Sequence, residues 1–282
     1  APVLFIHGLC AGIAHWIKIM DISSSNQVCY FIDLPGFGKS SRPDFSKSFD
    51  VVETVIIQFI ENWRILHKIE TAMKLVGHSF GGYISFLYAS KLPKNVSSLI
   101  LLDPWGIYSP NLDLFHSSKC QNDISLKMRM IRVMTRFISP FSIMRKTGMF
   151  GKFLLRNIRN ELYIPYKDLV SQDTFFDYIF YSNIGLPTGE KSYKVLQDNV
   201  INSKFPLIER TDCFPDMKHI NITLCIGTKS VLYKAYQNQN QQLCDAFGEN
   251  NFRYIEFSDV DHHIHSSDVF IKSFANYLSE NA

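Results

Sequence analysis

Residue types that together perform acyl transfer are spread over 282 residues. A serine lies in the pentapeptide Gly77-His78-Ser79-Phe80-Gly81, directly after the apolar run Met73-Lys74-Leu75-Val76. A serine with glycine two residues to either side, after a strand and before a helix, has the pattern of a nucleophile elbow. The missing Cβ atoms permit a turn tight enough to lift the hydroxyl above the sheet edge. The pentapeptide alone is common by chance, so its partners decide its meaning. A general base is expected on the loop after the last strand, where Asp261-His262-His263-Ile264-His265 stands. His262 fits the distance from the end of that strand at Phe257. His263 is the alternative, and it alone opens a His-x-x-x-x-Asp pattern, ending at Asp268.

The orienting acid commonly follows the penultimate strand, but Thr228-Lys229-Ser230-Val231-Leu232-Tyr233 contains no carboxylate. Asp103 offers a substitute, 24 positions beyond Ser79 at the end of the next strand. A buried aspartate there would orient the imidazole and stabilise imidazolium. Its other role would be to cap the turn at Pro104-Trp105-Gly106. Two backbone amides are expected to complete the site as an oxyanion hole. One is that of Leu9, in His7-Gly8-Leu9-Cys10-Ala11-Gly12 after the first strand, and the other is that of Phe80. His7 reads as a structural hydrogen-bonder. Asp33 reads as the anchor of the glycine loop Asp33-Leu34-Pro35-Gly36-Phe37-Gly38. The six cysteines lie far apart without Cys-x-x-Cys, and the histidine cluster has no matching cysteine or carboxylate set, so neither metal nor cofactor is expected.

Six elements must position these residues. Pro2–His7, Gln27–Asp33, Met73–Val76, Ser98–Asp103, Asn221–Gly227 and Phe252–Phe257 are short apolar runs of β-forming residues. Such runs suit strands buried on both faces of a parallel sheet. Helical patterns separate them at Val51–Lys68, with Asp50 as cap, at Gly81–Lys91, at Ala235–Phe247 and at Val269–Leu278. The alternation predicts an α/β, doubly wound, mostly parallel sheet. With 46% hydrophobic residues and 20% charged, the chain suits a globular domain with a large core. No uncharged apolar run reaches the roughly 18 residues of a membrane span. The chain starts without methionine and enters a strand at once, so it reads as a fragment with N-terminal strands removed.

Between Pro104 and Ile220 the alternation breaks. The expected division is therefore a core over 1–104, an inserted helical lid over 105–218 and the rest of the core over 219–282. Residues 119–160 carry ten Lys/Arg and one acid, Asp123, and five of the eight methionines. Basic residues among flexible apolar ones suit an amphipathic surface facing anionic lipid, with Arg129, Arg132, Arg136, Arg145 and Lys146 as candidate contacts. A solvated helix face with methionines packed inward is the other reading. No nucleic-acid-binding module is visible.

With those residues in place, the chain resembles the abhydrolase domain-containing protein 4 and protein 5 subfamily of α/β hydrolases. The generic motifs are His7-Gly8, Gly36-Phe37-Gly38 and Gly77-His78-Ser79. More specific are Gly38-Lys39-Ser40-Ser41-Arg42-Pro43 and Leu102-Asp103-Pro104-Trp105-Gly106. Asp177-Tyr178-Ile179-Phe180-Tyr181-Ser182-Asn183 and Pro187-Thr188-Gly189-Glu190 extend the match into the lid. The resemblance implies the α/β-hydrolase fold and lipid chemistry. Members hydrolyse acyl esters of phospholipids, lysophospholipids and N-acyl phosphatidylethanolamines. Others are linked to acylation of lysophosphatidic acid, or act on lipid droplets as coactivators of a triglyceride lipase. It also implies a cytoplasmic protein, peripheral on membranes, lipid droplets or mitochondria. Ser79 favours an enzyme, because the coactivator branch has Asn at that position. Tyr233 stands at the family's acid position. The acyltransferase motif of the family fits only as His263 and Asp268.

Overall fold

Six short strands of the computed structural model lie side by side as one parallel sheet. Residues 1–20, 27–45, 48–107, 140–198, 202–233 and 240–280 are described. The strands are β1 (Val3–Ile6), β2 (Cys29–Ile32), β3 (Met73–His78), β4 (Val96–Leu102), β5 (Asn221–Gly227) and β6 (Phe252–Phe257). Their order is β2-β1-β3-β4-β5-β6, with every neighbouring pair parallel. All six overlap the predicted runs; β1, β3 and β4 are covered on both sides and need no polar alternation, whereas β6 at the edge exposes Arg253 and Glu256. The chain leaves β1 toward one edge and returns at β3 to build toward the other. The crevice of a doubly wound sheet therefore opens between the carboxyl ends of β1 and β3.

Successive side chains along a strand fill two separate cores. Leu4, Ile6, Leu75, Leu99, Leu101, Leu224 and Ile226 belong to the larger one, under α1 (Phe49–Leu66) and α2 (Phe80–Lys91). Val3, Phe5, Val76, Ile100, Leu102 and Cys225 belong to the other, with Trp16, Ile19, Phe270 and Phe274. α2 is buried at every position from Phe80 to Ala89, as a central helix must be. The N-cap of α1 is Ser48 rather than Asp50, which lies in the first turn. A carboxylate there still faces the positive end of the helix dipole.

A buried ion pair ties α1, α2 and the segment that leads into β5. Arg210 donates to both carboxylate oxygens of Glu53, each at 2.9 Å, and the Tyr83 hydroxyl donates to the same carboxylate at 2.5 Å. The Glu53 side chain is only 9% exposed. Arg210→Met would strand that charge without its partner, which costs about 3 kcal/mol or more. A fall in the thermal midpoint of about 10 °C is expected; an unchanged midpoint would contradict it.

From β4 to β5 the described chain is helical: α3 (Pro140–Thr147), α4 (Met149–Ile158), α5 (Gln172–Asn183) and α6 (Thr188–Leu196). Helices α7 (Asn240–Phe247) and α8 (Asp268–Glu280) belong to the sheet domain. No helix among the described residues is long and apolar enough to cross a membrane.

Candidate active site

The carboxyl ends of β1, β3 and β4 each carry a non-glycine residue at positive φ: Cys10 at 58°, Ser79 at 52° and Asp103 at 44°. Such conformations persist where surrounding structure enforces them. At Ser79 the enforcement is visible. A Cβ at Gly77 would collide with the Gly81 carbonyl and the Ser85 hydroxyl, and one at Gly81 with the Ile6 carbonyl. The Ser79 amide donates to Leu102 O at 2.9 Å, and its carbonyl accepts from Trp105 N at 3.0 Å. The elbow is thus pinned to β4 through the residues on either side of Asp103.

His262 links the serine to the acid. Its Nε2 lies 3.0 Å from Ser79 Oγ and its Nδ1 lies 2.5 Å from Asp103 Oδ2. A carboxylate accepts, so Nδ1–H donates to Asp103 and the Nε2 lone pair faces the Ser79 hydroxyl. That tautomer is the one a general base needs. Asp103 is fully buried, and Ser230 Oγ donates to the same Oδ2. Ser230 in turn accepts from the Leu232 amide at 3.1 Å. The loop after β5, which lacks a carboxylate, thus contributes a hydroxyl that holds the carboxylate of β4. Tyr233, at the family's acid position, points its hydroxyl to Glu256 at 3.0 Å.

His263 is not part of this line. Its backbone amide donates to Asp261 at 2.8 Å, and its ring lies 3.6 Å from the same carboxylate. Those contacts hold Asp261 down at about 2, with the His263 side chain the largest cause. Asp268 pairs instead with Lys18 at 2.6 Å, so the structure does not bring His263 and Asp268 together as hydrogen-bond partners. Phe80 follows the serine directly. Phe80 is the first residue of α2, so its amide has no acceptor within the helix. Gly8 packs on the elbow, since a Cβ there would lie 3.2 Å from Ser79 Cβ. The Leu9 amide follows directly.

The loop bearing Leu9 is held from both sides. Asp33 Oδ1 accepts from Ile13 N and Oδ2 from Lys39 N, each at 2.8 Å, which fixes the glycine loop as well. His7 Nε2 accepts from Leu34 N at 3.0 Å while Nδ1–H donates to Gly8 O at 2.7 Å. Burial keeps that ring neutral, below the usual histidine range. From the other side, Asn183 donates to Cys10 O at 2.9 Å and the Tyr178 hydroxyl accepts from Ala14 N at 3.2 Å. Neither residue stood out as chemistry in the sequence; the only signal was the block Asp177–Asn183 that the family resemblance singled out. Asn183→Leu should release the strained Cys10 carbonyl and loosen the Leu9 amide. A fall in kcat of about 10-fold or more with little change in KM is expected. An equal change in both constants would place Asn183 in substrate binding instead.

The basic residues expected at a lipid surface divide three ways. Arg129, Arg132 and Arg136 lie outside the described residues. Lys146 is exposed. Arg145 turns inward, against expectation, and binds Glu190 at 2.5 and 3.1 Å and Asn183 O at 2.9 Å. A guanidinium's forked donors fit a carboxylate better than dispersed lipid headgroups, which explains its choice. Lys152, Arg156 and Arg159 also pair, with Asp177, Asp173 and Glu161. α4 also leaves large apolar side chains outward: Met149, Phe150, Phe153 and Ile158 are 59–68% exposed.

A parallel doubly wound sheet with a serine elbow after β3 and a histidine after β6 defines a class, and sequence comparison reaches the same one. The profile of the family described as "alpha/beta hydrolase fold" matches residues 1–131. The chain has the α/β-hydrolase fold. Its sequence is similar to proteins of the protein 4 and protein 5 subfamily. Abhydrolase domain-containing protein abhd-5.2 of Caenorhabditis elegans is 38% identical over 74% of this chain and 44% of its own length. The mouse (lyso)-N-acylphosphatidylethanolamine lipase is 29% identical over 94% of the chain and 75% of its length. The rat 1-acylglycerol-3-phosphate O-acyltransferase ABHD5 is 30% identical over 82% and 64%. The chain thus spans less than half of the first of these relatives. Among solved structures, the enol-lactonase from Burkholderia xenovorans LB400 superposes with a TM-score of 0.64 at 16% identity, over 99% of this chain and 92% of that one.

Proposed function

We propose that this chain is a serine hydrolase of lipid acyl esters, working through an acyl-enzyme. The observation that carries the reading is the unbroken line from Ser79 Oγ through His262 to buried Asp103, at 3.0 and 2.5 Å. His262 Nε2 takes the hydroxyl proton as Ser79 Oγ attacks the ester carbonyl. The amides of Leu9 and Phe80 receive the oxyanion. The tetrahedral intermediate expels the alcohol, which leaves with the proton returned by His262. Water, deprotonated by the same ring, then attacks the acyl-serine and releases a fatty acid. If lysophosphatidic acid attacks instead, the product is phosphatidic acid and the site is an acyltransferase.

The substrate class follows from the lipase and acyltransferase names of the relatives. The apolar side of α4, with Lys146 beside it, supports docking on a membrane or lipid-droplet surface more than the paired arginines do. The test is incubation with vesicles of lysophospholipid or N-acyl phosphatidylethanolamine, with and without added lysophosphatidic acid. Released fatty acid supports hydrolysis, and labelled phosphatidic acid supports transfer. Folded protein that produces neither would favour a non-catalytic coactivator of a triglyceride lipase.

A further inference from the structure

Next to the His262 ring lies a second cluster of histidines that the triad does not use. His15 comes from the turn Ile13–Trp16, His78 from the end of β3 and His265 from the turn Ile264–Ser266. One ring nitrogen from each lies within 4.8 Å of those of the other two. The His15 and His265 rings stack at 3.7 Å, and His78 lies 4.5 Å from His265.

The hydrogen bonds fix the lone pair of His78 and leave one available on His265. His78 Nε2 lies 2.8 Å from His262 O, and a carbonyl only accepts. Nε2 therefore carries the proton and Nδ1 the lone pair. The Tyr166 hydroxyl lies 3.3 Å from His15 O and 3.1 Å from His265 Nε2, and when it gives its proton to the carbonyl it accepts from Nε2–H. In that tautomer, the one a metal would select, His265 Nδ1 is a lone pair too. Among the described residues, His78 Nδ1, His265 Nδ1 and His15 Nε2 are all buried with no hydrogen-bond partner. Three orphaned imidazole nitrogens in one place carry a cost that ordinary packing does not offset. Gly8 leaves open the space beside one of them, since a Cβ there would lie 2.9 Å from His78 Nδ1.

We propose that His15, His78 and His265 form a three-histidine site for a borderline transition-metal dication of the zinc class. Neutral imidazole is the ligand form such ions take, and burial holds all three rings well below the usual histidine range. The outer hydrogen bonds, to a backbone carbonyl and to a tyrosine hydroxyl, are of the kind that orient metal-bound histidines. Bonds of about 2.0–2.1 Å in tetrahedral geometry place ligand nitrogens about 3.4 Å apart. The site therefore closes by small ring rotations, chiefly of the stacked pair. Water fills the fourth position. The ion would clip together three segments: the turn after the oxyanion loop, the nucleophile strand and the general-base loop. Because His78 holds His262 O, this clip braces the base. The binding step does not depend on the serine-hydrolase reading.

The test titrates the folded, metal-free chain with Co2+ and then Zn2+. One Co2+ per chain with the intense visible bands of a tetrahedral site is expected, displaced by Zn2+. X-ray absorption of the Zn2+-loaded chain should count three imidazoles. Zn2+ should raise the thermal midpoint of the wild type. Tyr166→Phe should weaken binding about 10-fold through loss of orientation alone. His15→Phe and His265→Phe should each weaken it more than about 100-fold, beyond what an outer partner contributes. No stoichiometric binding by the wild type overturns the proposal. So does binding that survives both histidine variants, or a coordination count without three imidazoles. The spectroscopic arms need only the wild type, so a variant that fails to fold leaves the proposal decided.

Discussion

Ser79→Ala will remove acyl transfer while leaving the fold unchanged. The loss expected is about a million-fold in kcat, the effect of deleting a serine nucleophile whose base acts only through it. Alanine at φ 52° bears the same backbone strain as serine, and the Ser79 bonds to Leu102, Gly82 and Trp105 are all made by the backbone. The thermal midpoint should therefore stay within a degree or two. A fluorophosphonate probe gives the direct readout. Ser79 Oγ attacks phosphorus, fluoride leaves, and His262 takes the proton, so only an activated serine is labelled. The wild type should label and the alanine variant should not. Labelling that persisted in the variant would move the nucleophile elsewhere and end the acyl-enzyme reading.

The strands and the elbow were legible because their signals are local. A run such as Leu99-Ile100-Leu101-Leu102 is buried on both faces, and Gly77 and Gly81 stand where a Cβ would collide with the neighbouring chain. Asp103 was legible only as one of two alternatives. Its geometry depends on Ser230, 127 positions away, which no local pattern connects to it. His262 and His263 are neighbours in sequence, and only the backbone after β6 turns one ring toward Ser79 and leaves the other on Asp261. The segment between β4 and β5 was the least legible part. Its positive charge reads as an outward surface, yet the acids that pair with it lie 17 to 45 positions further on for Arg156, Lys152 and Arg145. Composition counts charges but not their partners. The same limit hid the His15, His78 and His265 cluster, because its members belong to three separate segments and only the fold stacks them.

The second large effect is expected at Asp103, where the site departs from the position the family uses. Asp103→Asn is nearly isosteric and leaves the Ser230 contact available. It changes the tautomer. If the asparagine amide donates to His262 Nδ1, the imidazole proton must sit on Nε2, and an N–H then faces the Ser79 hydroxyl. Such a ring cannot accept the proton, and it no longer has a carboxylate to stabilise imidazolium. The corresponding change in a serine triad lowers kcat about 10,000-fold. Here the fall should appear in fatty-acid release and in the rate of fluorophosphonate labelling, with the fold retained. Tyr233→Phe is the contrasting variant. It removes a hydroxyl bonded to Glu256 on β6 and should leave turnover within about two-fold. Ser230→Ala should fall between them, because it removes one donor to the carboxylate without removing the charge. Undiminished turnover in Asp103→Asn would reduce that residue to the cap of the Pro104-Trp105-Gly106 turn. A triad whose acid stands on β4 therefore predicts a rank order: Asp103→Asn far below Ser230→Ala, and Tyr233→Phe near wild type. An acid supplied from the loop after β5 would give a different one.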